Sequence, residues 1–294
     1  MPILKYALAA TTGLALIAAA GTAQATSYAY GNINFTALSL SGLNGTGVSI
    51  NSANVTTRDS AGFPGSPAAS NSVGPVSPTN PLTAGSDAPQ ATSGPGPFPG
   101  ENTYSQALLG SFGTRGDAQL VGNLLTGVGT GANDVAEGRI GNTGSASSTA
   151  GTSTGFNVVV TTGNTQTFTL SFNASDTVIA TTTAPGEIAS ASVSASFTVS
   201  GTAGTTFATQ IYSPDPLNVS GTSTGGSGNF NTTNASAPFT FSVTLSPGTY
   251  QFSLLSGSQE QVTVPAAVPT PEPASMALLG AGLAAIGLVR RRRA

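Results

Sequence analysis

The chain of 294 residues contains no cysteine, no histidine and a single lysine, Lys5. Those absences exclude a disulfide framework, thiolate metal sites, Ser-His-Asp and Cys-His catalysis and, once a leader carrying Lys5 is removed, Ser-Lys and Schiff-base chemistry. Between Thr26 and Thr270 only Arg58, Arg115 and Arg139 stand against ten acidic residues, a formal charge of −7 that gives no footing for the phosphate neutralisation behind nucleic-acid binding.

The chain opens with Lys5, an apolar stretch from Tyr6 to Ala20 and small residues ending in Ala23-Gln24-Ala25. Charge, apolar run and small-x-small site occur in the order of a secretory signal peptide. Residues 1–25 are therefore expected to be removed by signal peptidase at Ala23 and Ala25, leaving Thr26 first. Residues 26–60 read as short strands that pack on the body, with Ile33, Phe35, Ala37 and either Leu38 or Leu40 at a rough period of two. Nine prolines then fall between Ala61 and Gly100. Proline donates nothing to a strand ladder, so 61–101 is expected to be a Pro/Gly/Ser-rich loop or linker. Over 102–155 the pairs Leu108/Leu109, Leu120/Val121 and Leu124/Leu125 suggest short helices, interrupted by Gly110, Gly113, Gly116 and Gly122.

The clearest periodicity lies in 156–264. In ASASVSASFTVS, from Ala189 to Ser200, small or apolar residues alternate with hydroxyls. The pattern predicts buried Val193, Phe197 and Val199, with Ser194, Ser196 and Thr198 facing outward. TFTLSF repeats it at Phe168, Leu170 and Phe172. The run from Phe239 to Gly257 reads as a hairpin turning at Ser246-Pro247-Gly248, burying Phe241, Val243 and Phe252 and exposing Ser242 and Ser253. EQVTV at 260–264 adds a last strand. The fold class is mainly β, an antiparallel β-sandwich body. Without an internal period, a solenoid is not indicated.

Little in this body suggests catalysis. A glycosidase-like carboxylate pair could be drawn from Asp59, Asp87, Glu101, Asp117, Asp134, Glu137, Asp176, Glu187, Asp215 and Glu260. These mostly read as residues of glycine-rich loops, and no tryptophan is present to stack on a sugar. Asp134 and Glu137, in GANDVAEG, could offer oxygens to calcium, but a spaced acidic loop is missing and a solvated loop is the expectation. Tyr28, Tyr30, Tyr104 and Tyr212 are candidate stacking faces for carbohydrate. The expectation is a protein that is not an enzyme, with no cofactor and no resident metal.

Residues 265–294 differ from everything before them. Pro271-Glu272-Pro273 precedes an apolar run over 274–289, about 24 Å long as a helix, and Arg290, Arg291, Arg292 and Arg293 follow at once. The run is slightly shorter than the roughly 30 Å hydrocarbon core, yet its flanks can sink into the interfaces. The arginines would hold the C-terminus on the cytoplasmic side of the inner membrane. Over 268–294 this order resembles the PEP-CTERM sorting domain of Gram-negative envelope proteins. The resemblance implies recognition of Pro271, Glu272 and Pro273 by an exosortase, removal of the tail, and delivery to the surface or an exopolysaccharide matrix. The prolines keep the recognised segment extended. The expected role is structural or interactive at the cell surface or in a biofilm matrix, with exopolysaccharide as a candidate partner. A secreted carbohydrate-binding module or adhesin is the alternative, and a carboxylate-pair hydrolase the remote one.

Overall fold

Alternation of buried and outward side chains, plain in the sequence only after residue 156, governs nearly the whole body. The computed structural model describes residues 26–43, 45–76, 85–123, 128–161, 163, 165–202, 204–226, 228–266 and Gly280. Residues 1–25, expected to be a signal peptide, Pro271-Glu272-Pro273, the apolar run 274–289 (Gly280 apart) and Arg290–Arg293 lie outside the described residues. Among the described residues no helix is long and apolar enough to cross a membrane.

The strands, in chain order, are β1 (Ser27–Ser41), β2 (Val48–Gly62), β3 (Ala69–Val76), β4 (Ser86–Gly96), β5 (Phe112–Asn123), β6 (Val128–Ile140) and β7 (Gly144–Val160). They continue with β8 (Gln166–Thr182), β9 (Ile188–Gly201), β10 (Gln210–Tyr212), β11 (Ser220–Thr224), β12 (Phe230–Leu245) and β13 (Gly248–Val264). All fall within one unit, Ala25–Pro265. A first sheet has the order β12-β8-β1-β6-β5-β4, and a second has β10-β9-β13-β7-β2-β3, with β11 also on β9. Pairing is antiparallel throughout. The sheets face each other, β13 lying over β1 and β6, β7 over β5 and β6, and β9 over β1 and β8. The architecture is that of an antiparallel β-sandwich.

Several segments depart from the expected reading. The proline-rich stretch 61–101 is not merely a loop: it carries β3 and β4, which form one edge of each sheet. An edge strand has N–H groups that need no partner, so proline is tolerated there. The two register breaks of β4, between Ala88 and Ala91 and between Ser93 and Gly96, enclose Pro89 and Pro95. Among the described residues of 102–155, β5, β6 and most of β7 stand in place of the expected short helices, while Leu124 and Leu125 lie outside the described residues. Residues 26–60 form two strands of 15 residues each, so the body begins near Ser27 and not at 156. Finally, Ser246-Pro247-Gly248 is no hairpin. It is an arch between the sheets, because β12 pairs with β8 while β13 pairs with β7 and β9. The Tyr250 hydroxyl donates to Ser246 O across this arch, at 2.8 Å.

The interior divides into two parts. At one end aromatic rings fill the gap: Phe156 stacks on Phe252 at 5.2 Å, and Phe168 and Phe197 meet Phe252 at 5.3 and 5.8 Å. Val193, Phe197, Val199, Val243 and Phe252 are buried as the alternation predicts. Phe241 is only half-buried, because β12 is an edge strand, and it stacks on Tyr212 at 5.2 Å. Ser194 and Ser242 are exposed, and Ser196, Thr198 and Ser253 partly so. Toward the other end the interior is lined by Ala29, Gly31, Gly116, Ala118, Ala136 and Ala150. A Cβ on Gly116 would collide with the Thr149 backbone oxygen, so this glycine sets how closely the sheets can approach.

Candidate functional site

The acidic residues are the chemistry-bearing groups of the body, and the loop expectation for them is corrected by the structure. Asp59, Asp87, Asp117, Asp134, Glu137, Asp176 and Glu260 stand on strands. Asp59, Asp117, Asp134, Glu137, Asp176, Glu187 and Glu260 are buried, while Asp87, Glu101 and Asp215 are exposed. Room for the inner carboxylates comes from small neighbours on the facing sheet. A Cβ on Gly138, for example, would strike the Glu260 carboxylate.

Asp134 faces the sandwich interior, where its Oδ2 accepts a hydrogen bond from the Ser256 hydroxyl. Burial pushes its carboxyl up to about 7, the Ser256 bond acting the other way and the Asp117 charge adding to the rise. Glu260 accepts from Ser148 Oγ at 2.8 Å and is raised well above the carboxylate range by burial. Asp59 is pushed up to about 7 by burial and then by the charge of Asp117. Asp176 is raised by burial, against the bonds donated by Asn234 Nδ2 at 3.1 Å. These groups favour the protonated form on folding.

The opposite face of the first sheet carries a buried ion pair. Arg115 and Glu137 lie opposite each other on β5 and β6, and Tyr30 lies opposite Glu137 on β1. Arg115 Nε donates to Glu137 Oε2 at 2.8 Å, both side chains being fully buried. The connection 97–111 folds over the pair. Arg115 Nη1 and Nη2 donate to Thr103 O and Ser105 O, while Glu137 Oε1 accepts from Tyr28 Oη at 2.8 Å and from the Ala107 and Leu108 N–H groups at 2.9 Å. The pair therefore acts as a clasp that holds the connection down. Asp134 and Glu137 point to opposite faces of β6 and cannot share an ion, which removes the calcium reading offered for them.

The four candidate stacking tyrosines are also accounted for. Tyr28 and Tyr30 are buried beneath the clasped connection, Tyr30 donating to Tyr104 O. Tyr104 is half-buried with its hydroxyl on Asn102 Oδ1 at 2.8 Å, and Tyr212 lies against Phe241. What the body does present is an open groove of about 390 Å³ on the outer face of the second sheet. Ser147 and Thr149 of β7, Gln259 and Gln261 of β13, and Ser190 and Ser192 of β9 line it, with β11 at its rim. Ala191, Gly221 and the buried Glu260 complete the lining, which is mostly hydroxyl and amide and holds no aromatic ring.

The carboxyl-terminal segment is decided by comparison. Residues 269–293 match the family model described as the PEP-CTERM protein-sorting motif. The chain carries a PEP-CTERM sorting motif at its C-terminal end. The match takes in Pro271, Glu272 and Pro273 and the arginines through Arg293. Such a motif implies export and membrane-associated sorting toward the cell surface, with an exosortase as the processing partner. It spans less than a tenth of the chain and so describes the tail alone. Neither curated proteins nor solved structures give a match to this chain.

Proposed function

We propose that the chain is an exported structural or interaction protein of the cell surface or exopolysaccharide matrix, and not an enzyme. An exosortase reads Pro271, Glu272 and Pro273 and removes the tail. The sorting motif at 269–293 is the observation that carries this reading. Residues 1–25 serve as the signal peptide, 274–289 hold the precursor in the inner membrane, and Arg290–Arg293 keep its C-terminus inside. The body supports the same conclusion. Most of its carboxylates are buried and bonded within the fold, which leaves a surface of hydroxyls and amides suited to a hydrated polysaccharide layer. Asp87 and Asp117, on neighbouring strands β4 and β5, and Glu101, on the connection between them, do cluster, but at one edge of a single sheet and not across a cleft.

A carbohydrate-binding role is favoured by one specific feature, the serine, threonine and glutamine groove over β7, β13 and β9. Its donors and acceptors match sugar hydroxyls, and binding there would be weak and without stacking.

The sorting claim is tested at Glu272. Glu272→Gln and Glu272→Asp should leave membrane insertion intact but slow removal of the tail, so that a larger membrane-held precursor accumulates. Processing of both variants at the wild-type rate, in a host carrying the enzyme, would reduce Glu272 to a boundary residue.

A further inference from the structure

We propose that Asp87, Glu101 and Asp117 form a binding site for a hard divalent cation, with calcium the best fit. One carboxylate oxygen from each lies within 4.8 Å of the others. Asp87 stands on β4 and Asp117 on β5, where Asp87 pairs with Gln119, two positions along the same face. Glu101 comes from the connection that the Arg115–Glu137 clasp holds against this sheet. Between them Asn102 adopts a left-handed backbone, with φ of 60°, and places its own groups on two of the three carboxylates.

The hydrogen bonds divide each carboxylate into a held oxygen and a second one. Asp117 Oδ2 accepts from the Asn102 N–H at 2.7 Å. Asp87 Oδ2 accepts from Asn102 Nδ2 at 3.0 Å and Gln119 Nε2 at 3.1 Å. Glu101 Oε1 accepts from the Gln90 N–H at 2.7 Å. Among the described residues these donors reach one oxygen of each group and fix the side chains without neutralising them.

The independent sign of a ligand is Asp117 itself. Its side chain is fully buried, yet Oδ1 has no hydrogen-bond partner. A buried carboxylate oxygen left unpaired is costly, and folded proteins meet that cost with a donor, a water, a proton of its own or a cation. Arg115 is the nearest candidate counter-charge along β5, but all three of its nitrogens are committed to Glu137, Thr103 O and Ser105 O. Two further carboxylates at hand turn the choice toward a cation.

Coordination habit discriminates among cations. Calcium accepts about six to eight oxygens in flexible geometry, which suits three carboxylates drawn from β4, β5 and a connection, whereas magnesium demands near-ideal octahedral geometry and gives up its waters reluctantly. Asp87 and Glu101 are exposed, so water completes the remaining positions. A bound ion would tie the connection 97–111 to the β4–β5 edge.

The test uses the full-length chain in mild detergent, stripped with a chelator and then dialysed against calcium, with bound metal counted and thermal unfolding followed by circular dichroism. One calcium per chain should bind saturably. The midpoint should rise about 3–6 °C at a free concentration tenfold above the dissociation constant, beyond a sodium chloride control of equal ionic strength. Magnesium should give a smaller rise. Asp87→Asn and Glu101→Gln, both at exposed positions, should keep the wild-type spectrum and weaken binding roughly tenfold or more. Asp117→Asn should abolish binding. The proposal is overturned by a folded chain that binds no calcium at about 10 mM, beyond the weakest extracellular calcium modules. A midpoint shift that sodium chloride reproduces, or that Asp87→Asn and Glu101→Gln leave unchanged, would overturn it equally.

Discussion

Replacing Arg115 with Met puts the clasp under direct test. The guanidinium and the Glu137 carboxylate are both fully buried, at 2.8 Å from each other. Without Arg115 the carboxylate keeps the Tyr28 hydroxyl and the Ala107 and Leu108 N–H groups but loses its counter-charge, and Thr103 O and Ser105 O lose their donors. Breaking a buried pair from one side costs about 3–5 kcal/mol, since the remaining charge stays in a medium that does not solvate it. For a domain of this size each kcal/mol moves the melting midpoint by about 2–4 °C, so Arg115→Met should lower it by about 6–20 °C. Urea unfolding followed by circular dichroism gives the free energy. Amide exchange over residues 97–111 locates the loss, because the connection should exchange faster than β1 or β8. An Arg115→Met variant within about 1 kcal/mol of wild type, with unchanged exchange over 97–111, would refute the clasp.

Three further outcomes follow from the same structure. The folded value of Asp134 is raised from 3.8 to about 7, so its contribution is fully present below about 3.9 and lost as pH rises through about 7. The melting midpoint should therefore be higher at pH 5 than at pH 8, Asp134 alone accounting for a loss on the order of 2–3 kcal/mol over that interval, and Asp134→Asn should flatten the profile; a midpoint that climbs from pH 5 to pH 8 would oppose this. Phe252→Ala should cost about 3–5 kcal/mol in urea unfolding, and Phe241→Ala distinctly less because its ring is half-buried on an edge strand; equal losses would contradict the assigned burial. Replacing Arg290 to Arg293 with Gln should lower the membrane-held precursor and raise unprocessed release, measured by fractionation and mass; unchanged fractions would deny them an orienting role.

What was legible in the sequence depended on whether a signal was local. β9 announces itself because Val193, Phe197 and Val199 alternate with hydroxyls in one unbroken run, and the tail does so because its parts are adjacent. β3 and β4 do not. Whether Pro75, Pro89 or Pro95 ends a strand depends on whether its missing N–H would face a neighbour, and only the sheet order says that these strands are edges. The turn at Ser246-Pro247-Gly248 has hairpin chemistry, yet β8, β7 and β9 outcompete it for the two strands on either side. β5 to β7 bury alanine, threonine and serine where periodicity looks for larger apolar groups, as at Ser148, Thr152 and Thr154. The buried acids were the least legible of all. Glu137 is explained by Arg115 and by the connection over it, and Asp134 by Ser256 on the other sheet, partners that no window of sequence brings together.

Intact-mass measurement of the protein from membrane and medium fractions, in a host with its exosortase and in one lacking it, tests the central claim most directly. With the enzyme present, the surface or medium form should begin at Thr26 and lack the apolar run and the arginines. Without it, a membrane-held form should begin at Thr26 and extend to Ala294. A surface form that retains residues through Ala294, with the same mass in both hosts, would contradict exosortase-dependent sorting of this chain.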